Sequence, residues 1–365
     1  MEKYSYFYVG TYTHPILFGT GEIFKGKGEG IYLLKMNNEN GAIESCDLKI
    51  KTENPSYLCL NKEGSMLYAV NELKEYQGKQ EGAVTAFYVN KENGDLTKIN
   101  TLGTNGQDPC HLALSLDEKN LAVANFMTGS TSVYRVSDKG LEENTSFVQH
   151  EGRSVDPMRQ KGPHAHACIF IKDIPYLFVP DLGTDCLVAY SLLDGVIEEA
   201  PTVTYKSEQG SGPRYGEYLE EQNKLYLINE LASSISVLEW TKEEKWKCLQ
   251  TIPTIATPCD NICADLHISP NSKFLYASNR GADSIVVYTI DAETGKLTKV
   301  QEVSCGGKTP RNFAIERTGK YLIVGNQDSD QIIIFGINRD NGELTKIHTV
   351  DAKTPVCIVQ TPFII

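Results

Sequence analysis

The sequence predicts an all-β protein, a seven-bladed β-propeller with four antiparallel strands per blade. Three observations carry this: one two-strand pattern recurs along the chain, its copies stand at near-even spacing, and one copy is split between the two ends. The pattern is a proline or small residue, an apolar strand, a polar turn, a second apolar strand, and usually an asparagine. It reads NPSYLCLNKEGSMLYAVNE from Asn54, DPCHLALSLDEKNLAVANF from Asp108 and GPHAHACIFIKDIPYLFVPDL from Gly162. It returns as GPRYGEYLEEQNKLYLINEL from Gly212, ADLHISPNSKFLYASNR from Ala264 and TPRNFAIERTGKYLIVGNQ from Thr309.

The residues closing the second strands are Asn71, Asn125, Asp181, Asn229, Asn279 and Asn326, at spacings of 54, 56, 48, 50 and 47. The N-terminal YFYVGTYT matches the second strand alone, with Gly10 as its marker, and the C-terminal TPVCIVQTPFII matches the first strand alone. Together they make a seventh copy. Each copy carries a third strand: GIYLLK, AFYVN, SVYRV, VAYSLL, SVLEW, VVYTI and IIIFGI. Asn40-Gly41, Asn93-Gly94, Thr294-Gly295 and Asn341-Gly342 follow several of these as hairpin signals, and fourth strands such as LTKIN and LTKVQEV come next. β-Branched and aromatic residues fill the strands, and no long helical period competes. Four strands in about 50 residues, repeated, describe a propeller blade. The C-terminal strand then pairs the open edge of the N-terminal one and closes the ring. No linker or composition break divides the chain, so residues 1–365 read as one domain.

Composition excludes several classes. Lys plus Arg total 35 and Asp plus Glu 47, a net charge of -12, which argues against a nucleic-acid or anionic-membrane surface. No apolar run is long enough for a membrane-spanning helix. No secretory signal stands in MEKYSYFYVGTYTHP, so a cytoplasmic protein is expected. The sequon Asn144-Thr145-Ser146 then reads as three loop residues. Ten scattered cysteines without a CxxC pair suit reduced thiols packed as small hydrophobes. Cys259 and Cys263, the closest pair, read as loop cysteines.

Repeats also show what the scaffold asks of each position. Set on the residue after the proline-like position, the first strands read Ser56, Cys110, His164, Arg214, Asp265, Arg311 and Val356. Two residues on they read Leu58, Leu112, His166, Gly216, His267, Phe313 and Ile358, with histidine where the scaffold accepts Leu, Phe or Ile. The residues after the markers are Thr11, Glu72, Phe126, Leu182, Glu230, Arg280 and Gln327. First strands begin and second strands end at one face of a blade, and first strands line the central channel. His164, His166, Arg214, Glu230, Asp265, His267, Arg280 and Arg311 are therefore expected to ring one mouth of that channel, a site for a small anionic ligand. The recurring asparagines serve turns.

Hydrolysis of an ester or lactone needs a base for water, a donor for the carbonyl oxygen and an anchor for substrate charge. His166 or Glu230 suits the first task, and Arg214, Arg280 and Arg311 the others. GxSxG, Walker A and Rossmann fingerprints are absent. His164 and His166 with His267 or Asp265 offer too thin a ligand set for a metal site, so no metal is expected.

The motifs YVGTYT, NPSYL, HLALS, GPHAHA, VPDLGTD, GPR, YLINE, ADLHISPNSKFLYASNRG and TPRNFAIERTGKYLIVGNQ resemble the seven-bladed lactonase family. That family includes the propeller type of 6-phosphogluconolactonase and fungal enzymes that lactonise 3-carboxymuconate. The resemblance runs from Tyr6 to about Pro362. It implies hydrolysis of 6-phospho-glucono-1,5-lactone to 6-phosphogluconate in the oxidative pentose phosphate route, with no cofactor. The family's histidine, two arginines and glutamate carry over to His166, Arg214, Arg280 and Glu230. One departure stands at Tyr215, where the family commonly has histidine. On this reading Arg280 and Arg311 hold the substrate's anionic end and the lactone carbonyl faces Arg214. Glu230 or His166 takes the proton from water while the other orients it. Asp265, His267, His164 and Glu72 shape the pocket. A lactonising cycloisomerase, a lactonase for another sugar acid or muconate-type substrate, and a non-enzymatic binding platform are the alternatives. The partner expected is a small anionic sugar lactone.

Overall fold

The computed structural model describes residues 2–17, 21, 23–198, 202–243, 245–257, 259–363 and 365. Seven antiparallel sheets follow the repeats. Blade I combines Pro355–Gln360 with Tyr4–Thr11, Gly30–Asn37 and Ile43–Lys51, in that spatial order. Blade II runs through Leu58–Leu60, Met66–Asn71, Ala83–Val89 and Leu96–Gly103, and blade III through Pro109–Leu114, Asn120–Asn125, Ser130–Ser137 and Gly140–Gln149. Blade IV holds Ile169–Ile171, Ile174–Asp181 and Cys186–Leu193. Its outer edge is broken into Val196–Ile197 and Thr202–Lys206, which pair different halves of the third strand. Blade V is Pro213–Leu219, Lys224–Asn229, Ser234–Thr241 and Lys245–Pro253. Blade VI is Ile262–Ile268, Phe274–Arg280, Ser284–Ile290 and Leu297–Ser304, and blade VII is Pro310–Ile315, Tyr321–Asn326, Gln331–Ile337 and Leu344–Asp351. A small hairpin, Pro15–Leu17 with Ile23–Lys25, leaves blade I.

Apolar residues alternate along the inner strands and meet between blades, not within one sheet. Blades I and II share Tyr8, Leu33, Leu67 and Phe87, and blades V and VI share Tyr226, Ile228, Leu275 and Tyr288. The same holds around the circle to blades VII and I, where Ile323 and Ile334 pack on Phe7 and Leu34. Because every blade leans on two neighbours, closure is a packing requirement as well as a pairing one.

The glycine turns differ in size from the two-residue hairpins expected. Gly41, Gly94, Gly295 and Gly342 each donate N–H to the carbonyl four residues earlier, at 2.7–2.9 Å. The side chains of Asn37, Asn90, Asp291 and Asn338 accept the amide two residues on, an Asx turn that starts each loop. Gly342, at φ 79°, tolerates no side chain, since a Cβ would lie 2.5 Å from the Phe274 ring.

A bulge at the start of each first strand positions the site. Pro109 pairs Asn125 but His111 pairs Ala124, so Cys110 is extra; Pro213 and Pro310 repeat this, making Arg214 and Arg311 extra. The residue before the proline is left-handed at Asn54, Asp108, Gly212 and Thr309, with φ of 39°, 50°, 63° and 58°. This turn followed by a bulge re-aims the extra side chain out of the ladder and into the channel mouth.

The pairings correct the register read from the sequence in two blades. Ala165 pairs Asp181 and Ile169 pairs Phe178, so His166, not His164, matches Arg214. Cys263 pairs Asn279 and Leu266 pairs Ala277, and the Asp265 amide bonds Ser278, so Ala264, not Asp265, is the extra residue. Neither blade has proline at the pairing position, so the landmark used for alignment is missing. The bulge ring is Val356, Ser56, Cys110, His166, Arg214, Ala264 and Arg311. The scaffold position two residues on is held by Cys168 and Leu266, both buried, so histidine never replaces the apolar residue there. Cys263 opens a strand and is buried, which corrects its reading as a loop residue.

The marker asparagines stitch loops to blades. The Asn125 amide donates to Thr104 O and Ser130 Oγ, and Asn279 repeats this with Thr254 O and Ser284 Oγ. In blade IV, Asp181 takes that place and is bridged by His150.

Candidate active site

Two rings of side chains meet at one mouth, the bulge ring and the residues after the markers. They frame a cavity of about 680 Å³ whose lining includes Glu72, Asp108, Cys110, Phe126, Arg159, His166, Glu230, Arg280, Arg311 and Gln327. Glu230, following Asn229 at the end of its strand, is the hub. Its Oε2 accepts Arg214 Nε at 2.9 Å and Arg280 Nη2 at 2.7 Å, and its Oε1 accepts Arg159 Nη2 at 2.5 Å. Arg214 also donates to the Ala264 carbonyl, and Arg280 to the Cys263 carbonyl at 2.8 Å. His166 Nε2 stands 3.8 Å from Glu230 Oε2. Cys110 Sγ lies 3.6 Å from His166 Nδ1, and the Phe126 ring meets the imidazole at its edge.

These contacts fix protonation. Burial works against the Glu230 charge, but the guanidiniums of Arg280, Arg159 and Arg214 outweigh it and hold its carboxyl well below the usual range. Burial, then Arg214, hold His166 well below the usual imidazole range, so it is neutral at pH 7. Glu230 is thus an anion shared by three guanidiniums and His166 a neutral ring able to accept a proton.

Across the mouth, Tyr12 donates to Glu72 Oε2 at 2.9 Å. The Arg311 guanidinium lies 3.8 Å from that oxygen and 5.3 Å from the Tyr12 ring centroid. Asp108, paired with Lys74, is pushed up to about 6 by burial and by Glu72. Four guanidiniums, those of Arg159, Arg214, Arg280 and Arg311, therefore gather around Glu230 and Glu72 near the centre of an acidic protein. Asp156, Asp260 and Asp328 stand at the rim.

Arg214 lines the narrow channel under the cavity, beside His166, which lines both, and three other expected mouth residues lie elsewhere. His164 does not line the cavity; it stacks on Phe126 at 4.6 Å and its Nδ1 bonds the Phe126 carbonyl. Asp265 lines the channel below, a space of about 20 Å³ between Tyr57, His111, Tyr215 and Asn312, and His267 is bonded to it. The one-residue register shift turned Asp265 inward. There His267 is clamped by Asp265 Oδ2 and Glu217 Oε2, both at 3.1 Å. Burial opposes its charge, but Asp265 and then Glu217 raise it to about 10. Tyr215 packs between His111 and His267 in this channel. Among the described residues, no group of three His, Cys, Asp or Glu is placed to hold a metal.

The clamp makes a measurable linkage. An imidazolium favoured by folding stabilises fully below its unfolded pKa of 6.5 and loses that contribution as pH rises towards 10. The stability difference between the parent and His267→Gln should therefore shrink steadily from pH 6 to pH 10 in urea titrations. A constant difference over that range would show that the clamp is uncharged.

Comparison with known proteins now has a geometry to attach to. The family described as "Lactonase, 7-bladed beta-propeller" matches residues 6–360. The chain belongs to that lactonase family. It is 30% identical over 315 residues to the 6-phosphogluconolactonase of Bacillus subtilis (strain 168), covering 85% of each chain. It is 33% identical over 304 residues to that of Formosa agariphila, covering 81% of this chain and 84% of the other. The solved structure of Pseudomonas aeruginosa periplasmic gluconolactonase superposes with a TM-score of 0.89 at 28% identity, over 98% of this chain and 99% of that one.

For this family member, the structure brings His166, Arg214, Glu230 and Arg280 into one cluster, with Glu72 and Arg311 opposite. It adds Arg159, Cys110, Phe126 and Asp108, none of which the repeats singled out as site residues. Cys110 and Phe126 were visible as ring members. Arg159 lies in residues 150–168, between blades III and IV, where the equivalent links 104–108 and 305–309 are a few residues long. That excess length is the signal the sequence offered.

Proposed function

We propose that this chain hydrolyses 6-phospho-glucono-1,5-lactone to 6-phosphogluconate at this mouth, the hydrolytic step of the oxidative pentose phosphate route. The observation that carries the reading is Glu230 held by three guanidiniums beside a neutral His166, with a fourth guanidinium, that of Arg311, across the same cavity. A carboxylate engaged by three guanidiniums is a weak proton acceptor, which supports Glu230 as the orienting group and His166 as the base.

In this mechanism the oxygen of water attacks the lactone carbonyl carbon and its proton passes to His166 Nε2. Negative charge gathers on the carbonyl oxygen, where Arg214, bonded to the Glu230 oxygen nearest His166, stabilises it. The ring carbon–oxygen bond then breaks. The departing oxygen takes the proton back from the imidazolium, leaving a carboxylic acid that ionises. Arg280 and Arg311 span the mouth and hold the anionic end, with Glu72 fixing Arg311. His164 supports Phe126, and Asp265 with His267 form the floor. No cofactor enters any step, and the partner is a small anionic sugar lactone. Residues 1–365 act as one domain in this reading. Ten unpaired cysteines support a reducing, cytoplasmic setting. No helix among the described residues is long and apolar enough to cross a membrane.

The structural likeness to a periplasmic gluconolactonase favours a second reading, an unphosphorylated sugar lactone. One panel separates the two: hydrolysis of freshly generated 6-phosphogluconolactone and of gluconolactone, each against its spontaneous rate, with Arg280→Ala as control. Turnover of the phosphorylated lactone, lost in the variant, is the expected result. Catalysis of gluconolactone alone would select the second reading, and catalysis of neither by folded protein would overturn both.

A further inference from the structure

We propose that Arg159 joins Arg280 and Arg311 on the substrate's phosphate by moving from Glu230, and so sharpens this site's distinction between a phosphorylated lactone and a neutral one. The inference rests on the hydrolase reading above.

Three guanidiniums share Glu230, but they are not held alike. Arg214 and Arg280 rise from blade strands, and each is also fixed on a backbone carbonyl, Ala264 O and Cys263 O. Arg159 comes from the link between blades III and IV, and among the described residues its guanidinium makes one hydrogen bond, to Glu230 Oε1. Its remaining N–H donors have no partner among the described residues, and the residue lines the cavity.

The link is fixed at its root, not at its tip. Gln160, fully buried, donates from its side chain to Leu182 O and to Asp185 Oδ1, both at 2.8 Å. Ser154 donates to Asp185 Oδ2 at 2.5 Å. The same carboxylate accepts the amides of Gly210 and Gly212, which lead into Arg214. The backbone at Arg159 is thus tied to the strand that carries Arg214, while its side chain runs along the cavity wall to Glu230.

Exchange is therefore cheap for this arginine alone. If Arg159 leaves, Glu230 keeps Arg214 and Arg280 on Oε2. A phosphate dianion entering the cavity offers Arg159 two oxygens in the fork geometry that guanidinium prefers. A neutral lactone offers no such pairing, and with it Arg159 stays on Glu230. The interaction is made with the substrate's remote end in both ground and transition states, so it acts through KM.

The test compares parent, Arg159→Gln and Arg159→Lys on 6-phosphogluconolactone and on gluconolactone. Arg159→Gln should lose about 10- to 100-fold more kcat/KM on the phosphorylated lactone than on the neutral one, chiefly in KM. Lysine should recover part of this, since it keeps the charge but not the fork. Equal losses on both lactones would mean that Arg159 only braces Glu230, and no loss on either would mean it is a bystander; both overturn the proposal. If the parent hydrolyses neither lactone, the hydrolase reading fails by itself. Calorimetric binding of 6-phosphogluconate and gluconate then decides on Arg159. Tighter binding of the phosphorylated acid, lost in Arg159→Gln, sustains the proposal, and any other pattern overturns it.

Discussion

Glutamine in place of Glu230 should cut kcat/KM by about a thousandfold and lower the stability of the fold by about 3 kcal/mol. The isostere keeps the shape and removes the charge. Arg159, Arg214 and Arg280 then face one another without the anion that gathers them. Breaking a buried ion pair from one side leaves an uncompensated charge, and here it leaves three. The cavity lets water reach part of the cluster, which places the expected loss near the lower end of the range for such changes. Turnover falls because Arg214 and Arg280 lose the shared oxygen that sets their height against His166. Urea unfolding and turnover on one preparation check both halves. A variant as stable as the parent and nearly as active would show that the arginines are organised by their backbone carbonyls alone.

Removal of the imidazole should act on rate with little effect on folding. His166→Asn is expected to lose about 10²- to 10⁴-fold in kcat, the usual contribution of a positioned base. The parent's pH profile carries a sharper signature. A base works deprotonated, and burial followed by Arg214 holds His166 well below 6.5, so the acid limb of kcat/KM belongs well below that value. Activity above the spontaneous rate should stay level from pH 7 to pH 5.5. A limb at 6.5 or higher, or a variant keeping a tenth of the parent's kcat, would remove His166 from the role of base.

The propeller was legible because repetition supplies its own alignment. Asn71, Asn125, Asn229, Asn279 and Asn326 mark the same strand end; four of them donate to a carbonyl of the preceding link, and Asn229 bonds Ser234 and Ser236 of its own blade instead. Glu72, Glu230 and Arg280 were legible for the same reason, as residues that follow a marker. First strands were harder to read because a bulge adds a residue that only proline announces. Where Ala165 and Cys263 replace proline, the count slips, and Asp265 moves from the mouth into the channel with His267 bonded to it. The Asp265–His267–Glu217 clamp joins blades V and VI, and nothing within either repeat foretells it. Arg159 was out of reach by repeat comparison, since no other blade has a counterpart to its link.

Blade I alone is built from both ends of the chain, with Tyr8 pairing Val359. Six blades can form as local hairpins while the chain is still emerging from the ribosome, but this one waits for its last strand. Until then the channel-facing side of Tyr4–Thr11 is an unpaired edge. The entropic cost of joining ends this far apart grows only with the logarithm of the loop, and the six finished blades have already brought them near. The site feels the same delay. Tyr12 follows the N-terminal strand, Glu72 belongs to blade II and Arg311 to blade VII, so this corner forms only when the circle shuts. Catalytic competence is therefore the last property a newly made molecule acquires, and a chain that stalls before closure can be largely folded and still inactive.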